Sequence, residues 1–194
     1  MGTLVKVLII LAEPARVFIV SGIFDGEEEI IDKDDLARLY CQIYNGEPWN
    51  ESWTQESAIE EFDEVSYKDN FRGVVARDAD RLVGFSWGYG VPEVNSSRVD
   101  FEKIRKELLN EGIDSSQVFY GADTGVREDY RMQGLASKLL FERTRKSSFD
   151  YVAFRTKNLG MLRIYQRALG QELFSFPEES SYEGGRVYVL GVKK

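Results

Sequence analysis

Apolar positions along the 194-residue chain recur in two rhythms. Residues 7–12 form a continuous apolar run and residues 17–20 a second, divided by a turn at Pro14, and runs this short read as strands. From Asp32 the spacing changes. Leu36, Leu39, Tyr40, Ile43 and Tyr44 fall at i, i+3, i+4, i+7 and i+8, which predicts an amphipathic helix capped by Asp32 and ending near Gly46. After a loop with Pro48, Trp49 and Trp53, Thr54 can cap a second helix that buries Ala58, Ile59 and Phe62. Residues 73–76, a polar turn over 77–80, and residues 82–89, where Phe85, Trp87 and Tyr89 alternate with small residues, predict an antiparallel hairpin. Residues 99–111 read as a helix with Phe101, Ile104 and Leu108 on one face. A strand over 117–126 then leads to a helix over 134–146, a strand over 150–155, a helix over 158–169, and strands over 171–176 and 185–192. This order predicts an α+β fold whose sheet is mixed, because a strand–helix–strand unit lies within it.

With 43% apolar residues and no linker or repeat, residues 1–194 are expected to form one domain. The 7–12 run is interrupted by Glu13, Pro14 and Arg16, well short of the ~18 residues that a membrane span needs. Neither a membrane nor a secretory route is expected, and the lone cysteine, Cys41, suits a reducing, cytoplasmic setting. The chain has no histidine, so histidine triads and HExxH sites are excluded and no metal site is expected. Chemistry would fall to carboxylates, hydroxyls, lysines or backbone.

Charge is uneven. Up to residue 117 there are 12 basic and 24 acidic residues, and from 118 onward 13 and 9, so the two parts carry −12 and +4 of the total −8. An acidic first part would attract a cation, with Trp49 and Trp53 able to line its approach, and a basic second part suits an anion. The run Glu27, Glu28, Glu29 reads as a solvated surface. A nucleic-acid partner does not fit a pI of about 4.8 without a basic cluster.

The stretch 130–140, YRMQGLASKLL, places Gly134 at the opening of a helix, with Arg131 and Gln133 beside it. Read from its residues, it is either an ordinary turn into a core helix or a site where unpaired helix-start amides receive a phosphate. In its context, from Val126 through Arg127, Glu128, Asp129, Tyr130, Arg131, Met132, Gln133, Gly134 and Leu135 to Ala136, between a strand and an apolar helix, the string resembles the acetyl-CoA signature of the GNAT superfamily of N-acetyltransferases. Asn158, Met161, Ile164, Tyr165 and the closing Leu169-Gly170 resemble the family's next helix. The resemblance spans residues 20–192. The chain departs from the pattern in Glu128, where proline is usual, in one more residue between Tyr165 and Gly170, in a 94–116 helical insertion, and in an extra N-terminal strand region over 1–20.

The resemblance implies a GNAT-like, mostly antiparallel sheet with helices on both faces and splayed central parallel strands. It implies acetyl-CoA as cosubstrate, its pyrophosphate on the amides of Arg131, Met132, Gln133, Gly134, Leu135, Ala136 and Ser137, and its pantetheine arm along the strand ending at Val126. The Val126 amide would polarise the thioester carbonyl, and Asn158 would bond the pantetheine amide or simply cap its helix. Tyr165 would supply the proton for the departing thiolate, or else pack in the core as part of a stripe with Leu162 and Leu169. For the base, Tyr120 shares strand parity with Ala122, Thr124 and Val126 and could act through water, whereas Asp123 needs a bulge to reach the same face. The acceptor would be the amine of a cationic small molecule, with the 94–116 segment covering its side. A protein N-terminus or lysine as acceptor and a non-catalytic CoA sensor are the alternatives, and a homodimer is the assembly that the resemblance allows.

Overall fold

In the computed structural model, described for residues 17–22, 31–47, 49–96, 98–145, 148–177 and 185–192, seven strands form a single sheet in the order β1-β2-β3-β4-β5-β7-β6. The strands are β1 (Val17–Gly22), β2 (Arg72–Asp78), β3 (Arg81–Gly90), β4 (Val118–Val126), β5 (Tyr151–Thr156), β6 (Glu172–Pro177) and β7 (Arg186–Gly191). Every neighbouring pair is antiparallel except β4 and β5. The helices are α1 (Lys33–Tyr44), α2 (Gln55–Ser66), α3 (Phe101–Asn110), α4 (Leu135–Arg145) and α5 (Leu159–Ala168). The expected strand over 7–12, its turn at Pro14 and the Glu27–Glu29 surface lie outside the described residues.

Local chemistry sets the helix ends. Asp32 caps α1 by accepting from the Asp34 amide at 2.9 Å. Thr54 and Ser57 form a reciprocal capping box on α2, the Thr54 hydroxyl accepting from the Ser57 amide at 3.2 Å. Thr54→Ala should therefore lower unfolding stability by about 1 kcal/mol, read as a shifted urea midpoint with unchanged slope.

Helices cover both faces. On one face α1, α2 and α3 bury Leu39, Phe62, Phe101 and Leu108 against Val75, Phe85, Trp87 and Tyr120. On the other, α5 packs Tyr165 and Leu169 against Phe119, Phe154 and Tyr188, and α4 packs Leu135 and Leu139 against Val74, Ala76 and Val83. The small residues of β3 permit this two-sided packing. A Cβ on Gly88 would fall 2.5 Å from the Phe119 ring, and one on Gly84 would lie 3.1 Å from Leu139. Phe85 and Trp87, pointing the other way, stack 4.4 Å apart under Tyr40.

The sheet opens at its centre. β4 and β5 pair in parallel from Val118/Tyr151 to Gly121/Phe154 and then part, while β5 stays paired with β7 as far as Thr156/Arg186. Against β3, the register of β4 jumps from Gly88/Gly121 to Trp87/Asp123, leaving Ala122 as the extra residue of a β-bulge. A bulge bends its strand and sharpens the local twist, so β4 turns away one residue after its last pair with β5.

Candidate active site

The bulge decides which side chains meet. Past it the alternation of β4 is re-phased, and Asp123 joins Tyr120 on the face of α1 and α3. Thr124, grouped with Tyr120 by simple parity, lies on the opposite face, its hydroxyl 2.8 Å from that of Ser86. The parity expectation therefore fails for Thr124, and the bulge that Asp123 required is present.

Beyond Gly121 the β5-facing edge of β4 has no strand partner among the described residues. The Arg127 amide donates to the Val83 carbonyl at 2.9 Å, which makes Gly84/Val126 a non-hydrogen-bonded pair and turns the Val126 N–H and C=O away from β3, toward the opening. The Val126 carbonyl accepts from Arg131 Nε at 3.0 Å, tying the following loop to the strand end. In that loop Met132 and Gly134 have φ of 62° and 77°, and Met132 is fully exposed. Left-handed residues on either side of Gln133 give the backbone the kind of alternation from which anion-binding nests are built. The Arg131 amide, expected in the cradle, instead donates to the Glu128 carbonyl at 3.1 Å, closing the short turn before it. Among the described residues, none of the amides from Met132 to Ser137 has a hydrogen-bond partner, and the first bond of α4 runs from the Lys138 amide to the Gly134 carbonyl. Gly134 thus precedes the helix rather than opening it. Its left-handed φ, with open space where a Cβ would be, explains the glycine without any helix-interior cost.

Across the opening stands α5. Asn158 caps it, its Oδ1 accepting from the Gly160 amide at 2.8 Å, and its backbone N–H donates to the Thr156 hydroxyl at 3.0 Å. The carbonyl of the Asn158 side chain is therefore used within the helix cap, and the residue is exposed. Tyr165 is both core and edge. Its ring stacks on Phe154 with centroids 3.6 Å apart, yet a Cβ on Gly121 would lie 2.7 Å from its hydroxyl, so the oxygen sits where β4 and β5 part.

On the α1 face, a pocket over Asp123 is lined by Tyr44, Trp49, Glu61, Tyr89, Arg98 and Tyr120, among others. Asp123 accepts from the Tyr44 hydroxyl at 3.0 Å and from Trp87 Nε1 at 3.2 Å. Burial, reinforced by the Asp123 charge, pushes the Tyr44 phenol well above its ordinary range, so Tyr44 serves as a donor. Burial likewise raises the Glu61 carboxyl, against the opposing pull of Arg98 3.2 Å away. For Arg98, burial alone would lower the pKa, but Asp123, Tyr40 and Glu61 outweigh it and hold the guanidinium charged.

The pocket is less uniformly acidic than the charge count suggested. Glu51, Glu61, Glu64 and Asp123 line it, but so do Lys68, Arg98 and Arg155. Trp53 is not an open face, since the Arg98 guanidinium lies 5.0 Å over its ring. Arg98 and Glu61 were not singled out in the sequence, because their pairing depends on where the insertion folds. Ser96, Arg98 and Val99 of that insertion form part of the pocket wall.

The sequence model of the Acetyltransferase (GNAT) family matches residues 34–171. The chain belongs to this GNAT acetyltransferase family. No curated protein sequence gives a significant match. Solved structures share the GNAT fold at low identity. PH1933 from Pyrococcus horikoshii OT3 is 15% identical with a TM-score of 0.60, the match covering 91% of this chain and 99% of that one. The aminoglycoside N-acetyltransferase AAC(6')-Iy, solved with CoA, is 15% identical with a TM-score of 0.55, over 88% and 99%. Ard1 from Thermoplasma volcanium is 17% identical with a TM-score of 0.55, over 84% and 95%.

GNAT acetyltransferases use acetyl-CoA, and the residues of this member fit it. Six successive amides without partners suit a pyrophosphate, and the bare edge of β4 suits an extended arm bearing amides. Among the described residues no group of three or more acidic or cysteine side chains could hold a metal ion, and no helix is long and apolar enough to cross a membrane.

Proposed function

We propose that the protein acetylates the amine of a cationic small molecule, using acetyl-CoA in a ternary complex. The observation that carries this reading is the parting of β4 from β5, which leaves the Tyr165 hydroxyl beside Gly121 on one face of the sheet and Asp123 on the other, at the start of the β4 edge that runs on to Val126. The cosubstrate supplies an activated acetyl group. The chain's own residues do the rest. The amides of residues 132–137 hold the pyrophosphate, Val126 N–H polarises the carbonyl, the Asn158 NH2 bonds the arm, and Tyr165 donates a proton to the departing sulfur. Glycine at position 121 lets the Tyr165 hydroxyl reach the point where β4 leaves β5, the position on which the proposed transfer depends.

The acceptor enters from the Asp123 side. Lys68 pairs with Glu64 at 2.9 Å and Arg98 with Glu61 at 3.2 Å, and Asp123, which shares the pocket with Arg98 and helps to hold its charge, accepts hydrogen bonds from the neutral donors Tyr44 and Trp87. With four carboxylates against three cations in the lining, the pocket retains a negative balance that receives one ammonium, and Asp123 takes up a proton from it, directly or through water beside Tyr120. An aminoglycoside, the substrate class named for one structural neighbour, is a cationic amine of this kind. A cytoplasmic, single-domain enzyme fits a chain whose one cysteine is unpaired.

Incubation with acetyl-CoA and a panel of aminoglycosides, polyamines, amino acids and peptides, following thiol release, tests the reading. Release that depends on a small cationic amine supports it. Release only with peptides moves the acceptor class to proteins, and tight CoA binding without release under any amine makes the protein a sensor. Asp123→Asn should raise the acceptor KM about tenfold, roughly 1.4 kcal/mol, with little change in the acetyl-CoA KM.

A further inference from the structure

Tyr165 shares its hydroxyl with a buried cation. Arg143, near the end of α4, is 1% exposed and continues the buried stripe of Leu135 and Leu139, where an aliphatic side chain would serve packing equally well. Its Nη1 donates to Ser86 Oγ and to the Trp87 carbonyl, each at 2.9 Å, and its Nη2 donates to the Tyr165 oxygen at 3.4 Å. Among the described residues its Nε has no partner and no carboxylate forms an ion pair with it, although Arg145, two positions on, pairs with Glu142. A buried cation without a counter-ion is costly, so packing alone does not account for an arginine here.

The surroundings make room for the contact. A Cβ on Gly121 would lie 2.8 Å from Arg143 Nη2 and 2.7 Å from the Tyr165 hydroxyl, so only glycine admits both at the point where β4 leaves β5. The guanidinium also lies over two rings, 5.2 Å from the centroid of Phe119 and 5.8 Å from that of Tyr165.

We propose that Arg143 is a positioning residue for proton donation by Tyr165, an inference that rests on the acetyltransferase reading above. By donating to the phenol oxygen, Arg143 occupies one of its lone pairs and leaves the Tyr165 proton to point into the opening of the sheet. As the new C–N bond forms and the thioester C–S bond breaks, Tyr165 passes its proton to the sulfur. The negative charge left on its oxygen then faces a cation across a poorly screened interior. The proton shed by the acceptor nitrogen restores the phenol through solvent, so the protein ends unchanged.

The test is a cycle of Arg143→Met and Arg143→Lys in the wild-type and Tyr165→Phe backgrounds, together with carbon-13 NMR of the protein labelled at tyrosine Cζ. Arg143→Met is expected to lower kcat about tenfold with both KM values held within about twofold, Arg143→Lys to recover part of that loss, and neither to lower kcat further once Tyr165→Phe is present. Equal losses in both backgrounds would mean that Arg143 only packs, and overturn the proposal. In the ligand-free protein, the Tyr165 resonance, assigned by its disappearance in Tyr165→Phe, should move in Arg143→Met and less in Arg143→Lys. A resonance that stays in place overturns the proposal even if the enzyme shows no turnover with any amine, a result that would instead count against the acetyltransferase reading. Should Arg143→Met not fold, Arg143→Lys carries both comparisons.

Discussion

Gly134→Val is expected to abolish the thermal protection that acetyl-CoA gives the wild-type chain. A ligand that binds only the folded state at 100 times its Kd adds about 2.7 kcal/mol, which for a chain of this size corresponds to about 5–10 °C in Tm. The substitution acts twice on the amide nest. At φ of 77° a β-branched residue is strained by about 1–3 kcal/mol, so the loop will move toward an ordinary φ and turn its amides away from their common target. The new side chain also fills space beside those amides that is open in the native loop. Because the strain itself lowers Tm, the decisive quantity is the difference between scans with and without acetyl-CoA. Gly134→Ala, with less bulk at the same φ, should retain part of the protection. Full protection in Gly134→Val would place the diphosphate elsewhere and remove the basis for reading residues 132–137 as its cradle.

The position of that loop was legible because its signals are local. A strand pattern, a short string around Arg131 and Gly134, and an apolar helix follow one another within 30 residues, and local periodicity likewise located α1, α2 and α3. The reason for Gly134 was less legible. Sequence suggested close approach of a phosphate at a helix start, whereas the backbone adds a left-handed φ one residue before the helix. The face of Asp123 could be posed only as a question. Alternation counts residues along one strand, but a bulge is defined against the neighbouring strand, and Ala122 carries no turn or glycine signal of its own. Arg98 and Arg143 escaped notice for a related reason. Each is one charge in an ordinary helical or loop context, and each becomes informative only through partners 37 and 57 residues away in sequence.

Tyr165→Phe should lower kcat about 10²- to 10⁴-fold, the range in which a positioned proton donor contributes, while leaving the KM for acetyl-CoA nearly unchanged. The structure makes this a narrow substitution. Phenylalanine preserves the stack on Phe154 and the place of the ring in the cluster with Phe119 and Leu169, so only the oxygen beside Gly121 is lost. The change in stability should be modest, about 1 kcal/mol, because one long hydrogen bond from Arg143 is removed while Ser86 and the Trp87 carbonyl still hold that guanidinium. A core tyrosine without a chemical role would show the same modest loss of stability with kcat intact. The two readings of Tyr165, stripe residue and proton donor, therefore diverge in kcat, with stability as the control. Single-turnover thiol release separates them further. If the proton reaches sulfur from this hydroxyl, the slowed step in Tyr165→Phe is the chemical one and no burst of thiol precedes steady state, whereas an unchanged burst would assign the donor to solvent and leave Tyr165 to the packing of α5 on the sheet.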